Sequence, residues 1–264
     1  MKSILAISIV TMLVFNSAFV MLDMNVLGSE SDTTPLFSGA GFGTIGDPYL
    51  ITDVDLLQEM NLDLGANYTL MNDIDASATF GWNGGQGFVP VGTESNRFNG
   101  TLNGNNHTVT GLFINRSGTT YVGLFGFLGS RGLVKNLGLA GSNITGNQMV
   151  GGLAGLNFEG IVSNCYATGN VSGNLFIGGL IGDNRGWVND SHASGNTTGS
   201  DFVGGLVGTN RSPVNNSHAA VNTTGTGIMV GGLVGENRGP LNNSHATGNV
   251  SGNKDKADLV LTYE

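Results

Sequence analysis

From about residue 120 onward, apolar and polar positions follow a fixed order that returns every 26 or 27 residues. Val150-Gly-Gly-Leu-Ala-Gly155 comes back as Ile177-Gly-Gly-Leu-Ile-Gly182, Val203-Gly-Gly-Leu-Val-Gly208 and Val230-Gly-Gly-Leu-Val-Gly235, after a shortened Val122-Gly-Leu-Phe-Gly126. The other half of the unit recurs as Asn164-Cys-Tyr-Ala-Thr-Gly-Asn170, Asp190-Ser-His-Ala-Ser-Gly-Asn196 and Asn243-Ser-His-Ala-Thr-Gly-Asn249. A propeller blade needs about 40 residues for its four strands, so the unit is too short for one. It carries no apolar i, i+3, i+4 stripe, and its glycines would break a helix, so helical repeats are excluded. One coil of a β-solenoid fits, with two or three short strands, Gly/Asn corners and identical positions stacked about 4.8 Å apart. The predicted fold is all-β: a right-handed parallel β-helix (β-solenoid) of roughly 27-residue coils over residues 121–253.

Parity along the strands predicts side-chain direction. Cys165, Ala167, Gly169 and Val171 alternate with Tyr166, Thr168 and Asn170; the first set is small and apolar and should face inward. Val203 and Leu206 are three apart, so one straight strand cannot bury both. The Gly204-Gly205 pair between them is expected to be a corner with backbone angles other residues avoid. Residues 36–120 are less regular and read as an N-terminal cap with the first irregular coils. Strands are expected at Tyr49 to Thr52, Tyr68 to Met71 and His107 to Ile114, with a short helix from Val54 to Leu62 capped by Asp53. In residues 254–264 the pattern decays into Lys254, Asp255, Lys256 and Asp258 around Leu259-Val-Leu261. That reads as a degenerate terminal coil or cap, or as the edge of a longer protein.

Composition adds the compartment. Only 11% of residues are charged while glycine numbers 45, which suits stacked strands and tight turns better than amphipathic helices. The net charge of −9 argues against nucleic acid or an anionic membrane as partner. Cys165 stands alone, so no intrachain disulfide forms. Residues 1–28 read as a signal peptide or an uncleaved membrane anchor: Lys2, an apolar run from Ile4 to Phe15, then Asn16, Ser17 and Ala18. Either reading places the remainder outside the cell or on its surface. Thirteen Asn-x-Ser/Thr triplets agree with export, among them Asn143, Asn170, Asn196, Asn222 and Asn249, the in-phase candidates for glycosylation.

The repeated Gly152-Leu-Ala-Gly155, Gly179-Leu-Ile-Gly182, Gly205-Leu-Val-Gly208 and Gly232-Leu-Val-Gly235 resemble the GLUG-motif repeats of surface proteins. The upstream blocks Gly46-Asp-Pro-Tyr-Leu-Ile51, Leu70-Met-Asn-Asp-Ile-Asp75 and Phe98 to Val109 are similar to what often precedes such repeats. The resemblance implies an extracellular β-solenoid of the kind found in adhesins and in archaeal or bacterial surface proteins. The same repeats occur in the non-catalytic part of zinc-dependent M26 immunoglobulin A peptidases. Here the chain has no His-Glu-x-x-His, so peptidase activity does not carry over.

Candidate chemistry is sparse. His192, His218 and His245 share one repeat position after Tyr166 and should form a surface ladder; a straight column does not converge on a metal as zinc requires. Arg185, Arg211 and Arg238 form a second column, able to grip acidic groups of a polysaccharide or simply to be neutralised by Asp183 and Glu236. Asp73 and Asp75 could hold a structural calcium. No nucleophile elbow is present, and no cofactor beyond that ion is implied. The reading is a non-catalytic extracellular surface protein, adhesin-like or a cell-envelope module, with surface glycans or envelope proteins as partners. The alternatives are a β-helix carbohydrate-active enzyme and the N-terminal non-catalytic part of a longer secreted enzyme.

Overall fold

The computed structural model describes residues 8–15, 18–25 and 37–252. Within the expected leader, Ser8–Phe15 pairs antiparallel with Ala18–Asn25. No helix among the described residues is long and apolar enough to cross a membrane. The expected terminal coil at 254–264 lies outside the described residues.

Residues 37–252 form a parallel β-solenoid. A coil runs through a long strand such as Ile161–Ser172, a short strand Leu175–Gly178, and a second short strand Ile181–Asn184. Each stacks on its equivalents, giving two five-stranded short sheets and one long sheet. Successive partners in the long sheet are Val134, Val162, Val188, Val214 and Leu241, steps of 28, 26, 26 and 27 residues. That whole-number register puts chemically identical residues side by side at the interstrand spacing of about 4.8 Å, so one favourable pair repeats on every rung.

The predicted parity holds at Cys165, Ala167 and Val171, which are buried, and at Asn170, which is exposed; Gly169, expected inward, is only half-buried and has φ 131°. The core is narrow. A Cβ on Gly152, Gly179 or Gly205 would sit 2.8, 2.9 or 3.1 Å from the Cβ of Ala167, Ala193 or Ala219 across the coil. The pairing of glycine with alanine therefore sets the coil's thickness.

The corner at Gly204-Gly205 exists, between strands Asp201–Gly204 and Val207–Asn210, but its cause differs from the expectation. Neither glycine has positive φ. A Cβ on Gly204 would run into the Val207 carbonyl oxygen, and one on Gly205 into the Gly232 carbonyl oxygen. Close approach, not backbone freedom, selects glycine. The left-handed residue of each corner lies two or three positions earlier, at Tyr121, Met149, Phe176, Phe202 and Met229, with φ between 51° and 65°. Bulky residues rarely adopt this conformation, so the stacked neighbours must impose it. A second left-handed column, Asn136, Asn164, Asp190, Asn216 and Asn243, bends the long strand where Asn and Asp tolerate the angle.

Before the regular array, Tyr49–Ile51, Asn67–Leu70 and Thr101–Asn103 continue the same long sheet. The expected strand over His107 to Ile114 is broken into Thr108–Thr110 and Phe113–Asn115 by Gly111, whose φ is +73°. The predicted helix is present as Val54–Glu59 followed by a 3-10 turn Met60–Leu62, and the Asp53 carboxylate accepts from the Leu56 amide at 2.9 Å. An aromatic column, Phe37, Tyr49, Tyr68, Phe98 and Phe125, joins the aliphatic core here, with successive centroids 4.4, 5.5, 6.3 and 4.9 Å apart. Tyr68 is fully buried and donates its hydroxyl to the Asp63 carbonyl, so burial raises its pKa.

Candidate functional site

The outer face of the long sheet is a set of side-chain ladders. Tyr166, His192, His218 and His245 stack with ring centroids 5.2, 4.8 and 5.4 Å apart and interplanar angles of 14°, 5° and 10°. Tyr166 anchors the lower end through a 2.9 Å hydroxyl contact with Thr108. Burial, and then the next imidazole, lowers the pKa of both His192 and His218. The rings lie parallel and do not converge, and no group of three or more His, Cys, Asp or Glu among the described residues could hold a metal ion.

Asparagine ladders flank the rings. Asn242 donates to Asn215 and Asn215 to Asn189, both at 2.8 Å; Asn243 donates to Asn216 at 3.0 Å. The glycosylation candidates form another such column: Asn196 donates to Asn170 at 2.9 Å and Asn222 to Asn196 at 3.2 Å. Asn143, Asn170, Asn196, Asn222 and Asn249 are all exposed. Their Ser/Thr partners two residues on point to the same side, as strand parity requires.

Sequence reasoning missed a fourth asparagine ladder, which is buried. Asn157 donates to Asn184, Asn184 to Asn210 and Asn210 to Asn237, each at 2.9 Å. Asn157, Asn184 and Asn210 have no solvent exposure. Their in-phase spacing was visible in the sequence, but inward or outward direction was not. Asn210 belongs to a sequon, yet its amide is spent inside the wall.

The arginine column sits directly after this ladder. Arg185 donates through Nε and Nη2 to Asp183 at 3.0 and 2.7 Å, and Arg211 reaches the other oxygen of Asp183 at 3.4 Å. Arg238 pairs with Glu236 at 3.0 and 2.6 Å. Asp183 is fully buried, so the cations offset its loss of water. Each arginine side chain is partly exposed.

Asp73 and Asp75 both lie outward of buried Ile74. Asp73 accepts from the Thr108 amide at 2.9 Å and contacts His107 Nδ1 at 3.2 Å; these bonds lower its pKa, the backbone one most. Asp75 accepts from the Ser77 amide at 2.9 Å, which lowers its pKa as well. Calcium takes six to eight oxygens, so an ion here would need carbonyls and water beside these two carboxylates. Cys165 fills an inward column otherwise held by Ser191, Ser217 and Ser244. Burial pushes its thiol up to about 12, leaving it inert.

Residues 146–172 match the family described as the GLUG motif, so the chain carries that repeat. Halomucin of Haloquadratum walsbyi is 42% identical over 135 residues, 49% of this chain and 2% of the relative. A "Putative Gly-rich membrane protein" of Evansella cellulosilytica is 43% identical over 134 residues, 49% of this chain and 15% of its own length. The chain thus spans a small part of both relatives. A solved structure described as "a putative immunoglobulin A1 protease" from Bacteroides ovatus superposes with a TM-score of 0.64 at 20% identity. The match covers 80% of this chain and 69% of that one, and shows a shared fold.

Proposed function

We propose that this chain is a non-catalytic extracellular surface module, adhesin-like or part of the cell envelope, that binds glycans. The carrying observation is the outer face of the long sheet, where amides and flat rings repeat in register over successive coils from Tyr166 to His245. A glycan chain presents its own repeating hydroxyls and ring faces, so a surface with periodic donors, acceptors and stacked rings meets it at several points. Multivalent contact of that kind raises avidity without requiring a deep pocket. The relatives' names, a mucin and a membrane protein, support a cell-surface location.

Arg185, Arg211 and Arg238 extend the binding face toward acidic sugars with the N–H groups that Asp183 and Glu236 leave free. Asp73 and Asp75 take calcium in this reading as a structural ion. A glycan-array screen of the full chain, with and without calcium, tests the proposal. Saturable binding to a defined sugar supports it; no binding to any glycan sinks it. A second reading, that the chain is the non-catalytic portion of a longer secreted protein, is supported by the small share of the relatives it spans. The intact mass of the native product distinguishes the two.

A further inference from the structure

Away from the ladders, helix Val54–Glu59 and the segment 82–89 border a shallow, widely open depression of about 430 Å³, lined by Asp55, Gln58, Glu59, Trp82, Asn83 and Val89. Sites that bury small ligands run from about 300 to 1,000 Å³; this depression has that volume but an open mouth, which suits a sugar laid with one face on the surface. Its walls are fixed. Gln58 clamps Val89 through both ends of its amide, donating to the carbonyl at 3.0 Å and accepting from the N–H at 2.8 Å. Arg116 ties down the far side of the segment, donating to the Phe88 carbonyl at 3.1 Å and to the Gln86 side chain at 3.0 Å. Asn83 sits at φ 52° and donates to the Gly87 carbonyl at 2.7 Å, which closes the turn carrying Trp82. The Trp82 indole is stacked on the buried Phe88 ring at 6.5 Å and 21°, so its plane is set before any ligand arrives.

The carboxylates differ in what they can do. Glu59 is occupied by Ser38, which donates its N–H at 2.7 Å and its hydroxyl at 2.9 Å. Asp55 is exposed, and its carboxylate has no hydrogen-bond partner among the described residues. An indole platform, one free carboxylate at the rim and a pre-ordered wall is the chemistry that recognises a neutral sugar. The apolar face of the pyranose packs on the ring, and paired hydroxyls donate to the carboxylate. Asp55 and Glu59, with no cation in the lining, disfavour an anionic sugar at this place.

We infer that this cleft is a binding subsite for a neutral saccharide, with Trp82 as the stacking platform and Asp55 as the hydroxyl acceptor. The inference deepens the glycan-binding reading and rests on it, but places a discrete site at the helical end, distinct from the ladder face.

Only two tryptophans are present, so in a Trp187→Phe protein Trp82 is the sole indole and its emission reports this cleft. The full chain carrying that change is titrated with lactose, maltose, cellobiose and N,N′-diacetylchitobiose, and with a glucuronic-acid disaccharide as the anionic probe. The expected result is a saturable change in Trp82 emission with a neutral disaccharide and none with the anionic one. Asp55→Asn, which also removes the acidic group of the helix's first turn, should weaken binding about tenfold while costing no more than about 1 kcal/mol of stability, so the chain stays folded. A neutral sugar that binds Asp55→Asn equally well overturns the site, as does release of reducing ends from the probe. Glycan-array binding with a silent Trp82 overturns the cleft alone and leaves the ladder face standing. Silence in both assays overturns both.

Discussion

Asn184→Ala tests whether the buried amide ladder holds the wall of the solenoid together. In the native chain the Asn184 carboxamide accepts from Asn157 and donates to Asn210, both at 2.9 Å, and its oxygen also lies 3.4 Å from the Gly186 amide. Truncation leaves the Asn157 donor and the Asn210 acceptor without their partner in a region with no solvent exposure. Each orphaned buried group costs about 1–3 kcal/mol, so the pair costs about 2–6 kcal/mol. Native domains hold only about 5–15 kcal/mol in total, so the loss is readily resolved. Asn196→Ala supplies the control, because Asn196 makes the same two rung-to-rung bonds, at 2.9 and 3.2 Å, on the exposed face. Water replaces both partners there, and the cost should stay within about 0.5 kcal/mol. The assay is urea unfolding followed by far-UV circular dichroism, with the shift in midpoint compared at constant slope. Equal shifts for the two variants, or a loss under about 1 kcal/mol for Asn184→Ala, would refute the reasoning.

Other predictions follow from single columns. Thr197 and Thr223 occupy an inward column shared with Ile144, Val171 and Val250, and their buried hydroxyls have no partner among the described residues. Replacing either with Val should raise stability by about 1 kcal/mol in the same urea assay, and a destabilisation would show that the hydroxyl is satisfied. The lowered His192 and His218 pKa values mean that the folded chain binds these protons less tightly than the unfolded one. Their effect is absent above histidine's ordinary 6.5, and stability falls as pH drops through and below it. Thermal midpoints at about pH 7.5 and 5.5 should differ less in a His192→Gln/His218→Gln variant; an unchanged difference would exclude the ladder as its source. In a glycosylating host, peptide mass spectrometry should find Asn210 bare. Adjacent rungs of the Asn143, Asn170, Asn196, Asn222 and Asn249 column should not be occupied in one molecule, since glycans about 4.8 Å apart would collide. A glycan on Asn210, or on two neighbouring rungs together, contradicts the geometry.

Much of the fold was legible because one register repeats. Val150, Ile177, Val203 and Val230 share a phase, and that alone fixes parallel stacking. The parity of Cys165, Ala167 and Val171 gave the buried face, and Asp53 marked the helix start. What escaped depends on contact across the coil. Gly204 and Gly205 announce a corner, yet a sequence does not distinguish a glycine chosen for its φ from one chosen for lack of space. The left-handed Phe176 and Phe202 carry no local signal at all, because the neighbouring coils enforce the angle. Asn184 and Asn196 look alike as in-phase asparagines, and only the packing of the wall shows that one is buried and the other exposed. The candidate site was legible as columns of residues; the Trp82 cleft was not, since it joins a helix to a loop about 25 residues away.

The most direct test of the central claim, that this solenoid binds glycans without altering them, is calorimetric titration of the full chain with the best array hit, followed by mass analysis of the recovered glycan. The account predicts saturable heat and a glycan recovered intact. No heat with any glycan, or a cleaved product, would contradict it.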